Sequence, residues 1–302
     1  MMKKLACLFV LTALGFACFS QEKPENTLLW RISGKDLKTP SYLFGTIHMI
    51  CGNDIQLSDS LKSAIRQSDK VYLELDMDNI FELMGVITKM KMKGDTTLAD
   101  LLTAAEYEKV KSFFKTQKTL IPFSMLETYK PLVAASTLMQ ASIDCDNAIS
   151  LEQLIMQEAK SKNKKINGLE TMSYQMSIFD SIPYKLQAKQ LVEYVDNYGK
   201  DDNKELEELS EAYRKQQLSK LEELTKKEDM GMERFTEILL YQRNINWVNK
   251  LKDLLSNNAL VIAVGAGHLP GERGVINLLK KAGYKVEPVK NDMNKKLPVK
   301  EM

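Results

Sequence analysis

Ala259-Leu260-Val261-Ile262-Ala263-Val264-Gly265-Ala266-Gly267-His268 is an apolar run closed by glycine, two residues and a histidine. A run this short and this uniformly apolar predicts a strand covered on both faces, as in a parallel sheet layered with helices. After it, Pro270 to Ala282 reads as a helix stopped by Gly283, and Tyr284 to Val289 as a last strand. Lys290 to Met302 is charged and is expected to fray.

The N-terminal end supplies partners for that strand. Thr27 to Ser33 and Ser41 to Ile47 read as strands joined by the turn Gly34 to Pro40, and Lys70 to Asp76 as a third. Asp59 to Ser68 between them is helical. From Asn79 to about Asn258 apolar residues recur at three- and four-residue spacing, the mark of helices. Inside that region Ser150 caps a helix reaching Lys162, and Lys165 to Glu170 reads as a short strand. Asn203 to Asp229, dense in Glu and Lys, reads as a solvated helical hairpin with offset charge pairs. The 16 methionines sit mostly at helical core spacing, which assigns them to packing rather than to metal. The expected fold is α/β (α+β): a split mixed β-sheet core built from both chain ends, with a large helical insertion at about 79–258.

The chain has 2 histidines, and both stand in one setting. Gly45-Thr46-Ile47-His48 follows Tyr42-Leu43-Phe44, and Gly265-Ala266-Gly267-His268 follows the strand quoted above. In open α/β sheets the carboxyl ends of strands border the crevice where ligands bind. Glycine there lets the backbone turn or approach closely, and histidine supplies a ligand or a proton carrier. A lone histidine is usually structural; two in one motif and none elsewhere point to a shared site. Glu74, at the end of Val71-Tyr72-Leu73-Glu74-Leu75-Asp76, is a candidate third member, with Asp76 on its face and Glu170 at the end of the short strand. Each has an ordinary alternative as a helix cap or half of an ion pair. Arg243 is either a buried anion clamp or the partner of Glu74 or Glu170. Gly265 to Gly271 invites a dinucleotide reading with Glu287 as the distant acid, but Pro270 stands where the third glycine belongs.

Residues 1–20 have the order of an export leader: basic Lys3 and Lys4, apolar Leu5 to Ala17, then Cys18-Phe19-Ser20. Cleavage is expected near Ser20/Gln21, leaving residues 21–302 as one domain in the periplasm or outside the cell. Lipidation of Cys18 is the alternative, and Phe16 stands against it where a small residue is preferred. No later run is long enough for a membrane helix. Loss of Lys3 and Lys4 reduces 42 basic residues to 40, matching the 40 acids, so no cationic excess remains for nucleic acid. Of the 4 cysteines, only Cys51 and Cys145 follow the leader. They permit one disulfide in an oxidising compartment, or remain two buried thiols.

Leu43-Phe44-Gly45-Thr46-Ile47-His48, Tyr72-Leu73-Glu74-Leu75-Asp76, Gly168-Leu169-Glu170-Thr171, Arg243-Asn244-Ile245-Asn246-Trp247 and Val264-Gly265-Ala266-Gly267-His268-Leu269-Pro270-Gly271 occur in this order. Together they resemble the TraB/GumN family, related to the TIKI proteins. The family pattern is a pair of Gly-x-x-His motifs plus a glutamate and an arginine, carried here by Gly45/His48, Gly265/His268, Glu74 and Arg243. The resemblance implies varied functions: divalent-metal-dependent proteolysis of secreted Wnt proteins in TIKI members, and inhibition of peptide mating pheromones in TraB-like ones. It also implies kinship in fold with erythromycin esterases and a haem-binding lipoprotein.

On that basis the expected function is an exported metal-dependent hydrolase, peptidase-like, acting on a peptide or related acyl bond of a peptide or protein substrate. His48, His268 and Glu74 would form a three-ligand site for Mn, Co or Zn with a position left for water. Glu74 would alternatively be the general base, Glu170 would orient a histidine, and Arg243 would hold a substrate carboxylate or an oxyanion. The other class of function is a binding protein that sequesters a peptide or haem without chemistry.

Overall fold

The computed structural model describes residues 26–52, 55–143, 145, 147–198, 202–227 and 233–294. The expected leader with Cys18, and the tail from Lys295 onward, lie outside the described residues.

Eight strands form among the described residues: β1 (Leu29–Ser33), β2 (Ser41–Thr46), β3 (Ile50–Cys51), β4 (Lys70–Leu73), β5 (Ala148–Ile149), β6 (Lys165–Gly168), β7 (Leu260–Gly265) and β8 (Lys285–Pro288). Six of them make a mixed sheet in the order β6-β4-β7-β2-β1-β8, and β3 pairs with β5 in a second, small sheet. β6, β4, β7 and β2 run parallel, while β1 is antiparallel to both of its neighbours. The fold is α/β, with five strands of the sheet from the two ends of the described chain and edge strand β6 from within the helical insertion.

The apolar run of β7 has its reason in the two layers it separates. Val261 and Ala263 pack with Phe44, Val71 and Ile155 on one face. Leu260, Ile262 and Val264 pack with Leu43, Trp247 and Leu279 on the other. Alternate side chains point to opposite faces, so a strand covered twice has no polar position to offer. Part of the helical insertion has its own core, with Leu98, Phe114, Leu126, Leu138 and Leu191 buried together.

Four local expectations need correction. The helix expected from Pro270 spans only Val275–Lys281; Gly271 at φ +81° and the Gly274 cap keep the preceding residues as a loop. β4 ends at Leu73 and β6 at Gly168, so Glu74 and Glu170 stand just beyond strands rather than within them. The hairpin of Asp202–Arg214 and Leu218–Lys227 makes offset pairs such as Lys220–Glu208 at 2.7 Å, yet it is not merely solvated. Its sparse apolar residues Ala212, Tyr213, Leu221 and Leu224 are buried in the core. Finally, Asn291 and Met293 are buried and Asn294 bridges to Ile55, so fraying does not begin at Lys290.

Candidate functional site

The four parallel strands deliver their next residues to one edge of the sheet. His48 follows β2, Glu74 follows β4, Glu170 follows β6 and His268 follows β7. Leu73 lies opposite both Ala263 and Gly168, while β7 continues to Gly265. That extension lets the Gly265 N–H donate to Glu74 Oε1 at 2.7 Å. The motif glycines serve close approach. A Cβ on Gly45 would meet Ala266 and Leu269 at 3.1 Å, so the two motif loops pack directly on each other. A Cβ on Gly265 would come within 3.3 Å of Glu74 Oε1.

Arg243 organises the carboxylates. It sits in the first turn of the helix Gln242–Asn257, directly after a π-helical turn at Glu237–Tyr241. Such wide turns displace a helix face and are frequent at functional sites. The guanidinium donates from Nη2 to Glu74 Oε2 at 2.5 Å and to Glu170 Oε1 at 2.7 Å. It donates from Nε to Glu170 Oε1 at 2.9 Å, and from Nη1 to the Leu239 carbonyl at 3.0 Å and His268 Nε2 at 3.3 Å. Its donors are thus all engaged. Trp247 Nε1 donates to the other Glu170 oxygen at 2.9 Å, and Gln175 Nε2 to Glu170 Oε1 at 2.8 Å. Burial alone would push the Glu74 carboxyl up; the charges of His268 and Arg243, then that of His48 and the Gly265 N–H, hold it at about 2.

The histidines are both fixed through Nδ1. His268 is buried, and its Nδ1 lies 2.6 Å from Asn244 Oδ1. The Asn244 Nδ2 faces two carbonyls, Arg273 at 2.9 Å and His268 at 3.4 Å, so the amide oxygen is the end that meets the ring. His268 therefore carries its proton on Nδ1 and presents the Nε2 lone pair to Arg243 and, at 3.8 Å, to Glu74 Oε1. Burial first, then the Arg243 charge, drives its pKa down to about 3 against the pull of Glu74, so it is neutral. The Trp247 ring packs beside it, with centroids 4.5 Å apart. His48 lies on the solvent side, its side chain 76% exposed, and its Nδ1–H donates to Glu152 Oε1 at 2.8 Å. That bond raises His48 to about 9. Glu152 is itself held by the Thr46 hydroxyl at 2.7 Å and the Ser150 hydroxyl at 2.8 Å. Tyr213, from the hairpin, donates to the Gly45 carbonyl at 2.8 Å.

The structure thus brings Glu74, Glu170, Arg243 and His268 into one bonded cluster, with His48 beside it. Asp76 is not among them; its carboxylate accepts the Asp78 N–H at 3.2 Å and closes its own turn. Glu170 touches no histidine; Asn244 and Glu152 orient the two rings instead. Arg243 has no donor left over for a substrate carboxylate or an oxyanion in this arrangement. Among the described residues no three His, Cys, Asp or Glu side chains converge as a metal's ligands do. The physical reason is that the Arg243 cation already sits against Glu74 and His268 Nε2. The donor types nevertheless suit a borderline divalent ion: an Nδ1–H held by an oxygen leaves Nε2 as the ligating atom, in His268 as it stands and in His48 once an ion displaces its proton.

Glu152, Asn244, Gln175, Trp247 and Tyr213 were not selected from the sequence. Asn244 had a readable signal, a carboxamide on the apolar side of a helix, where it must find a partner. Cys51 and Cys145 are joined as a disulfide with Cα atoms 6.0 Å apart, tying the β3 loop beside His48 to the approach to β5.

Comparison with known proteins follows the same residues. The chain is 24% identical to a metalloprotease TIKI homolog of Amphimedon queenslandica, over 94% of this chain and 66% of that protein. It is 23% identical to metalloprotease TIKI1 of Homo sapiens, over 88% and 63%, and 22% identical to metalloprotease TIKI2 of Danio rerio, over 88% and 61%. The chain therefore spans less than two-thirds of the length of these relatives. No solved structure matches it. Residues 28–288, from the start of β1 through β8 and including both Gly-x-x-His motifs, match one family throughout: the chain belongs to the TraB/PrgY/gumN family.

Proposed function

We propose that this protein is an exported, metal-dependent hydrolase that cleaves a peptide or a related acyl bond at the edge of the sheet where the two motif loops meet. The observation that carries the reading is the shared anchoring of the histidines: each is pinned through Nδ1 to an oxygen, so Nε2 is the atom that would meet an ion, once His48 gives up its proton and Arg243 yields His268. His48, His268 and Glu74 would hold the ion. When bound, a divalent ion there would polarise the scissile carbonyl and make water a better nucleophile. Asn244 and Glu152 would keep the rings oriented, Glu170 would hold Arg243, and Arg243 would keep Glu74 ionised. Trp247, stacked near His268, would help keep bulk water from the inner side of the site. Support for peptide chemistry comes from the names of the relatives, and support for export from the leader pattern at residues 1–20.

The test is elemental analysis of the purified protein together with a peptide-library cleavage screen, with and without added Mn, Co and Zn. Metal is expected at about one ion per chain, with its retention and cleavage both lost in His48→Ala and His268→Ala. Unchanged metal content in both variants would refute the site. A wild type that binds peptide tightly and cleaves nothing would instead make the protein a sequestering one.

A further inference from the structure

A second cavity lies behind the helix Met172–Asp180, which forms a wall of the candidate site. Gln175 on this helix reaches Glu170 and Glu74. Ser173, Met176, Ser177 and Asp180, three, four and seven positions apart along one helix face, line instead a cavity of about 480 Å³. Its opposite side is built from Lys89, Lys91, Lys93 and Lys130. Asp180 is the one carboxylate among the described lining residues, so four ammonium groups face a single negative charge.

How those charges are held decides what the cavity favours. Lys130 is buried, and its Nζ donates to the Lys89 carbonyl at 2.6 Å, the Met176 carbonyl at 2.9 Å and Asp180 at 3.0 Å. Its three donors are satisfied, so it contributes a fixed charge to the wall without being available to a ligand. Lys93 shares the same Asp180 at 3.1 Å. Lys89 meets only the neutral hydroxyl of Ser173, and Lys91 is exposed with no carboxylate against it among the described residues. Thr171, Ser173, Tyr174 and Ser177 add hydroxyl-bearing residues along the helix wall. Tyr174 also ties this wall to the candidate site, for its hydroxyl accepts from Asn246 Nδ2 at 3.1 Å, on the same helix as Arg243 and Asn244. A concave surface with clustered charge of one sign raises the local concentration of oppositely charged ligands.

We propose that this lysine-lined cavity is a subsite for carboxylate groups, and that the peptides taken by the neighbouring site are acidic. The second half rests on the hydrolase reading; the first stands without it. Flexible lysines suit carboxylates presented in varied geometry, as along a glutamate- or aspartate-rich segment, better than a single fixed fork would.

The probes are a short acetylated peptide rich in glutamate and its glutamine counterpart, titrated calorimetrically into the intact protein without added metal. The acidic peptide is expected to bind more tightly, and to lose that advantage as salt is raised. Lys89→Gln/Lys91→Gln should weaken it by about five- to tenfold, the scale of two partly exposed charge pairs, and leave the glutamine peptide unchanged. Lys91→Glu, a reversal at an exposed position that the fold tolerates, should weaken it further. Equal affinity for both peptides, absence of binding, or binding indifferent to these variants would overturn the subsite. Charge-selective binding without cleavage in any metal would leave the subsite standing and remove the hydrolase. Cleavage indifferent to peptide charge would keep the hydrolase and overturn the acidic preference of its substrates.

Discussion

The two Gly-x-x-His loops share a motif and differ in almost everything that a motif does not specify. His268 is packed against Trp247, faces a guanidinium and is neutral, with its pKa near 3. His48 is 76% exposed, faces a carboxylate and is raised to about 9. The inner loop is held by the core: Asn244, Arg243 and the sheet. The outer loop is held by a clasp, made of the β3–β5 pair, the Cys51–Cys145 bridge and the start of the helix that carries Glu152. The comparison teaches that the tetrapeptide places an imidazole at a strand end, while the residue opposite Nδ1 and the depth of burial set its charge.

The largest expected effect breaks the inner side. Arg243→Ala leaves Glu74 and Glu170 buried without their cation, and should destabilise the protein by about 3–5 kcal/mol in denaturant titration. A loss under about 1 kcal/mol would show that the cluster is solvated and that the two sides do not differ as described. Next comes the outer clasp. Replacing Cys51 and Cys145 with Ser opens a loop of 94 residues and should cost about 2–4 kcal/mol. Recovery of both cysteines as free thiols in non-reducing peptide maps would remove the bridge from the account.

Asn244→Leu separates ring orientation from burial. It deprives the His268 Nδ1–H of its acceptor and should cost about 1–3 kcal/mol while keeping the helix. Metal retention, where present, should fall on the order of 10–100-fold; unchanged retention would mean Asn244 only packs. The smallest effect sharpens the outer side. Because the folded-state pKa of His48 is raised, the pair with Glu152 adds stability below the unfolded value of about 6.5, and this is lost as pH rises through about 9. Exposure keeps the contribution small. Nuclear magnetic resonance titration of metal-free protein should show His48 moving back toward its ordinary value in Glu152→Gln, with His268 unmoved. A wild-type His48 already at the ordinary value would sink this half of the contrast.

The strand of Leu260–Gly265 was legible because burial on both faces leaves a signature in composition, and its Gly-x-x-His ending marked the edge that matters. Glu74, Glu170 and Arg243 could be named because each closes or interrupts an apolar stretch. Their partners were less visible. Glu152 lies two residues past a helix cap, where an acid is favoured for the helix alone, so nothing distinguishes its bond to His48. Tyr213 sits in a charge-rich hairpin whose apolar residues are too sparse to announce a buried face. β3 and β5 are two residues each, below any periodicity, and form only because distant segments meet. The early ends of β4 and β6 follow from the need of Glu74 and Glu170 to turn toward Arg243, a contact between residues 169 apart.

β7 is inserted between β2 and β4, which do not bond each other. A ribosome makes the chain from its N-terminus, so β1, β2, β4 and β6 all exist before the strand that joins them. The Leu260 N–H donates to Ser41 Oγ across 219 residues, and closing so long a loop is slow beside forming helices. The part of the insertion with its own core has local contacts from which to fold early, whereas the sheet waits for β7. Translation that stops anywhere before Leu260 yields a molecule with one histidine, whose β1–β2 and β4–β6 pairs have no strand to join them. Order of synthesis thus sets order of assembly: the site cannot close until His268 has been made, long after the residues it joins.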